Sequence, residues 1–187
     1  IAALDRLTPA AKSDLTKLGL AGIEEYDVGK GMEKHLVARW RLRTTWHWEQ
    51  TFAPGETIVE HRYKPSVGGS VGSMIGSPDW PRRDHARDYE KRFCMDRDFL
   101  SSAGRLHAAA NGAMMESRIA YVLTTGGHWA KPIRVFRLVV DKGAPDALVS
   151  FCGESVRKIA PTQFEMRKEN FTPTRDLDVL ILTRPKG

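Results

Sequence analysis

No CxxC pair, no HExxH and no grouping of cysteine with histidine at zinc spacing occurs in this sequence, so the familiar structural and catalytic zinc motifs are excluded. No apolar run approaches the roughly 20 residues that a membrane-spanning helix needs. The glycine-rich stretch VGGSVGSMIG, residues 67–76, lacks the GK[ST] ending of a P-loop. Nor does it supply a GxGxxG ahead of a helix in a parallel unit, which argues against nucleotide binding. Ser70, Ser73 and Ser77 lie in the wider loop 65–81, which reads as a mobile connector and not as a strand-to-helix nucleophile elbow. Repeats, low-complexity tracts and heptads are also missing.

Cysteine is scarce. The two present, Cys94 and Cys152, are either two buried thiols or one disulfide, and the composition leaves both open. Hydrophobic residues make up 41% of the 187, enough for a core that needs no metal. Lys and Arg total 29 against 23 Asp and Glu, a formal charge of +6, but the charges are interspersed. That distribution argues against nucleic acid and leaves a smaller anionic partner open. The densest basic clusters are Arg39–Arg41–Arg43 and Arg82–Arg83. The chain opens IAALDRLTPAAKSDL, which reads as the interior of a longer precursor.

Residues 8–20 have the pattern of a short helix, with Thr8 as N-cap, Pro9 in the first turn and Gly19 at the end. DVGKGMEK, residues 27–34, carries turn chemistry. LVARWRLRTTWHWEQTF, residues 36–52, alternates an apolar set containing Trp40, Trp46 and Trp48 with a basic set containing Arg39, Arg41 and Arg43. This predicts a long strand that turns at APGE and returns through residues 57–64. Its tryptophan side is expected to seal a core, leaving its arginine side in water. After the glycine-rich loop the period becomes helical over 82–111, with Asp96 capping a second segment that ends at Asn111–Gly112. Strand candidates follow at 116–125, 132–141, 147–152, 163–170 and 177–184. FRLVVD and LDVLILT are apolar on both faces and are expected to be central strands.

The predicted fold is therefore mainly β: an antiparallel β-sandwich of about seven strands, with an inserted helical hairpin and a short N-terminal helix. Residues 1–30 are read as an N-terminal helix and linker. Residues 31–187 are read as the sandwich domain, with its helical insertion at about 82–111.

No catalytic constellation, metal set or cofactor motif emerges. His47 and His61 fall on opposite faces of the predicted ribbon, which argues against a shared metal. The candidate binding residues are the stripe Arg39, Arg41, Arg43 with His47, and the loop residues Trp80, His128 and Trp129. Carboxylates on neighbouring strands, Glu60 among them, would pair with the same arginines if that face is merely solvated.

Three stretches carry a family resemblance: WRLRTTWHWEQTFAPGETIVEHRYKPSVGGS at 40–70, YEKRFCMD at 89–96, and residues 119–182 including VSFCGESVRK. From about residue 36 onward the chain resembles the carboxy-terminal part of a proteobacterial family known only as domain-of-unknown-function family 4424. Members resemble exported proteins, with a signal peptide and an amino-terminal β-rich region. The resemblance thus implies a periplasmic or extracellular address and a precursor segment ahead of this chain. It also implies a Cys94–Cys152 disulfide, since the family places cysteine in the same RFC and SFCG contexts. It transfers no activity.

The expected function is that of a noncatalytic envelope protein that binds a partner protein or anionic ligand through loops and a basic sheet face. The alternative is an envelope-acting hydrolase. Its site would lie between the Gly/Ser loop, the helical insert and the Trp129 loop, drawing on His85, Asp96, His107 and His128. A third possibility is a structural part that completes the rest of the precursor, signalled by an exposed apolar patch near residues 1–20.

Overall fold

The computed structural model describes residues 2–27, 29, 31–40, 47–65 and 67–185. The chain divides into two compact units, residues 1–60 and 61–187.

In the first unit, helix α1 spans Ala2–Asp5 and helix α2 spans Pro9–Lys17. The Thr8 hydroxyl accepts the Ala11 N–H at 3.3 Å, Pro9 occupies the first turn, and Gly19 ends the helix at φ +68°. Strands β1, Ala21–Asp27, and β2, Met32–Ala38, form an antiparallel hairpin. Its turn closes on Asp27, whose carboxylate accepts the N–H groups of Gly29 (2.6 Å) and Gly31 (2.9 Å), both glycines at positive φ. Little is buried: Ala21 and Leu36 are covered, while Leu18, Leu20, Ile23 and Met32 are exposed.

Asp5 ties α1 to β2. Its carboxylate accepts the Leu36 N–H at 3.0 Å and lies 2.9 Å from His35 Nδ1. The His35 hydrogen bond, and then the Leu36 N–H, hold Asp5 below the usual aspartate range. A depressed folded-state value means this tie is fully present above about pH 4 and is lost as pH falls through the lower folded value. Protection of the Leu36 amide from hydrogen exchange should fall on acidification from about pH 5 to pH 2. It should already be low in Asp5→Ala; protection unchanged across that range would refute the assignment.

The long strand predicted for 36–52 does not form as a ribbon with 57–64. β2 ends at Ala38, and residues 47–65 carry no strand. Trp46, Arg41 and Arg43 lie outside the described residues. Trp40 and Trp48 are 50% and 59% exposed, and Phe52 is also exposed, so among the described residues beyond Ala38 the apolar side of the pattern lies open. Alternation shows which side chains share a face, but a strand also needs a ladder partner. β2 already has that partner in β1, across a four-residue connection that closes at low entropic cost.

The second unit is the sandwich. Strand β3 is Gly68–Val71, helix α3 is Ala86–Phe93 and helix α4 is Arg97–Ala109. Then come β4 (Met115–Tyr121), β5 (Ile133–Asp141), β6 (Leu148–Phe151), β7 (Arg157–Lys158), β8 (Gln163–Phe171) and β9 (Leu177–Thr183). One sheet runs β3-β4-β9-β6 and the other β5-β8-β7, every pairing antiparallel. Val140, Leu138 and Phe164 of the three-stranded sheet meet Phe151, Val179 and Ile119 of the four-stranded sheet. On its other face the four-stranded sheet packs Leu180, Leu182 and Leu148 against Phe93, Ala103 and Leu106 of the helices.

LDVLILT is thus covered on both sides, as its composition requires. FRLVVD is not central: β5 borders β8 alone and leaves Val135, Arg137 and Val139 exposed. Its outer valines satisfy strand propensity without burial, which composition cannot distinguish from a central strand.

α4 is capped as predicted, Asp96 accepting the Phe99 N–H at 2.7 Å, and Asn111 and Gly112 follow its end at positive φ. Cys94, at the C-terminal end of α3, forms a disulfide with Cys152 just beyond β6, with Cα atoms 5.0 Å apart. Beside it the Ser150 hydroxyl donates to the Phe93 carbonyl at 2.9 Å. The helical insert is therefore bolted to the end of a sheet strand.

Candidate functional site

Alternation on β4 sends Ser117 and Ile119 toward the second sheet and Glu116 and Arg118 toward the helices. The Glu116 carboxylate is 7% exposed. Two hydroxyls donate to it, Ser73 at 3.0 Å and Tyr89 from α3, and Arg118 Nη1 forms an ion pair with it at 3.1 Å. Arg118 Nη1 also donates to the Tyr89 oxygen at 3.2 Å, and Nη2 to the Gly69 carbonyl at 3.3 Å. A buried carboxylate without such partners would be strongly destabilising, so this network is a condition of the fold. Burial, and then the hydrogen bond to Glu116, push the Tyr89 hydroxyl up to about 12. It therefore stays protonated and acts as a donor at neutral pH.

Above this network lies a cleft of about 360 Å³, bounded by the Ser70–Met74 segment, Trp80, Arg83, His85 and Tyr89. Trp80 is 4% exposed and donates its indole N–H to Glu90 at 2.8 Å. His85 and Tyr89 meet its ring edge-on at 5.6 and 5.9 Å between centroids. Part of the glycine-rich loop is packed into this wall, which its reading as a connector did not anticipate. Ser73, Ile75 and Ser77 are buried, and Gly76 packs directly on the backbone of α4.

The sequence-derived candidates fall in both units, and Arg41 and Arg43 lie outside the described residues. Arg39 is exposed just past β2, its guanidinium lying over Gly22, and His47 is exposed in the irregular segment. Arginine–carboxylate pairing of the kind weighed for that stripe is seen on the outer face of the second sheet. There Glu165 draws in Arg137 at 2.6 Å and Arg157 at 2.8 Å. Trp80 borders the cleft through a mostly buried ring, whereas His128 and Trp129 are exposed in the β4–β5 connection and do not line it. Of the histidines and carboxylate considered for catalysis, His85 alone lines it; Asp96 is the cap of α4.

The network residues Ser73, Tyr89, Glu116 and Arg118 were missed. The i, i+2 spacing of Glu116 and Arg118 in MESRIAY was the available signal, since it places both on one strand face.

Residues 68–72, GGSVG, do fit the GxSxG spacing. Ser70, however, sits within β3 opposite Glu116 and not on a sharp strand-to-helix turn. Among the described residues it makes no hydrogen bond to His85, and no cluster of three or more His, Cys, Asp or Glu could hold a metal ion. Also among the described residues, no helix is long and apolar enough to cross a membrane. The arrangement offers hydrogen-bond donors and positive charge around a pocket with aromatic walls.

No curated protein and no solved structure matches the chain. A family model does match, over residues 1–180, so the similarity takes in the first unit as well as the sandwich. The chain belongs to the family described as Domain of unknown function (DUF4424).

Proposed function

We propose that this chain is a noncatalytic binding module of the proteobacterial envelope, exported to the periplasm or beyond, and that its ligand enters the cleft between the glycine-rich loop and the helical insert. The observation that carries the reading is the engagement of Glu116. Ser73, Tyr89 and Arg118 close on its carboxylate from three sides, so it serves as a support beneath an open pocket. The Cys94–Cys152 bridge supports an oxidising compartment. Recognition through loops carried on a rigid sandwich is a common use of such a fold.

Protein purified from an envelope fraction without denaturant, then unfolded, should release a small molecule that Arg118→Gln protein lacks, as read by mass spectrometry. A hydrolase is the competing reading, because Ser70 and His85 line the same cleft. Turnover of ester, glycoside or peptide substrates that Ser70→Ala abolishes would replace the binding reading with it.

A further inference from the structure

We infer that the cleft receives an oxyanion, a carboxylate or phosphate group carried on a short apolar body, seated between Arg118 and Arg83; this rests on the cleft being a binding site. The guanidinium of Arg118 has five N–H groups. Within the described residues it donates to the Tyr89 hydroxyl from Nη1 and to the Gly69 carbonyl from Nη2, and Nη1 also lies 3.1 Å from the Glu116 carboxylate as an ion pair. The Nε–H and one Nη2 hydrogen are left over, and the side chain remains 35% exposed.

The strand beside it keeps these groups uncovered. A Cβ at Gly68 would stand 3.4 Å from Nε and 3.7 Å from Nη2, so any longer side chain there would compete for the same space. Arg83 faces the same cleft, exposed, and makes no ion pair among the described residues.

The lining contains two guanidinium groups and one carboxylate. That carboxylate, Glu116, is buried, accepts from two hydroxyls and is paired with Arg118, so it adds little negative potential at the opening. A cation would meet the unpaired charge of Arg83 there, and a neutral ligand would leave Arg83 without a counter-charge, since Arg118 alone is paired, with Glu116. An oxyanion can accept from the spare N–H groups of Arg118 and from Arg83 together, the geometry in which arginine binds carboxylate and phosphate most strongly. Val71, 79% exposed, offers the apolar body a surface beside His85.

The test uses the intact chain, ¹⁵N-labelled, titrated with phenyl phosphate, benzoate and the neutral analogue benzamide. Phenyl phosphate or benzoate should shift the amide signals of Gly69, Ser70 and Gly72 and the Arg118 Nε–H saturably, and the stronger of the two identifies the oxyanion. Arg83→Gln should weaken that binding roughly tenfold, the effect of losing one charge-assisted contact. Because Arg83 has no intramolecular ion pair to lose, the variant keeps the fold. Added salt should weaken binding further.

Benzamide binding as tightly as benzoate at these signals would overturn the oxyanion while leaving the cleft a binding site. Unchanged affinity in Arg83→Gln, or shifts confined to other surfaces, would overturn the seat between the two arginines. If all three probes leave the cleft signals unmoved and envelope-purified protein releases nothing, both readings fall.

Discussion

Reducing the Cys94–Cys152 disulfide is expected to lower the stability of the sandwich unit by about 4 kcal/mol. The bridged residues are 58 apart in sequence, and the loss reflects the freedom the unfolded chain regains when a loop of that length opens. The folded state gives little back. α3 ends at Cys94 in the left-handed region, φ +52°, and Ser150 anchors the adjacent Phe93 carbonyl. Phe93 itself is fully buried in the core between helices and sheet. Small domains hold only about 5–15 kcal/mol in total, so this is a large share. Urea unfolding with and without reductant measures it. With a slope of about 2 kcal/mol per molar, the midpoint should fall by roughly 2 M. A Cys94→Ser, Cys152→Ser double variant should match the reduced protein and ignore reductant. A midpoint indifferent to reductant would show that the bridge contributes nothing to stability.

Gly76→Ala is expected to cost about 3 kcal/mol or more. Two effects add. Gly76 has φ +83°, a conformation that costs an L-residue about 1–2 kcal/mol. An added Cβ would also lie 2.4 Å from the Ala103 carbonyl carbon and 2.5 Å from the Gly104 nitrogen. Both are backbone atoms of α4 and cannot swing aside as a side chain would, so loop and helix must separate at a cost of about 1–3 kcal/mol. Gly72 separates the two contributions. It has φ +71° with nothing within 4 Å of the added Cβ, so Gly72→Ala should show the conformational cost alone. Equal losses in the two variants would remove the close packing of loop on helix. The Gly76 variant should also disturb the cleft, since Ile75 and Trp80 flank this contact in the same core cluster.

These two effects differ in how visible they were beforehand. The disulfide followed from a family resemblance that placed Cys94 and Cys152 in matching contexts. The Gly76 contact had no forewarning: a run of glycine and serine reads as a free loop, and only packing shows that one glycine is where two backbones meet.

What the residues determined alone was local. Thr8, Pro9 and Gly19 delimit α2, and Asp96 and Asn111–Gly112 delimit α4, because a cap bonds backbone within a few residues of itself. LDVLILT is apolar on both faces and could settle only between two layers. Pairing was left to the tertiary structure. LVARWRLRTTWHWEQTF alternates like a strand, yet over its described residues it has no ladder beyond Ala38, because its partner lies before it in the chain. The cleft belongs to the same class of decision. Ser73 meets Glu116 across 43 residues and Tyr89 meets it across 27, and nothing near Glu116 in the chain specifies either neighbour. A short-range pattern records which way a side chain points, whereas its partner is chosen when the layers close and a buried charge must find every donor within reach.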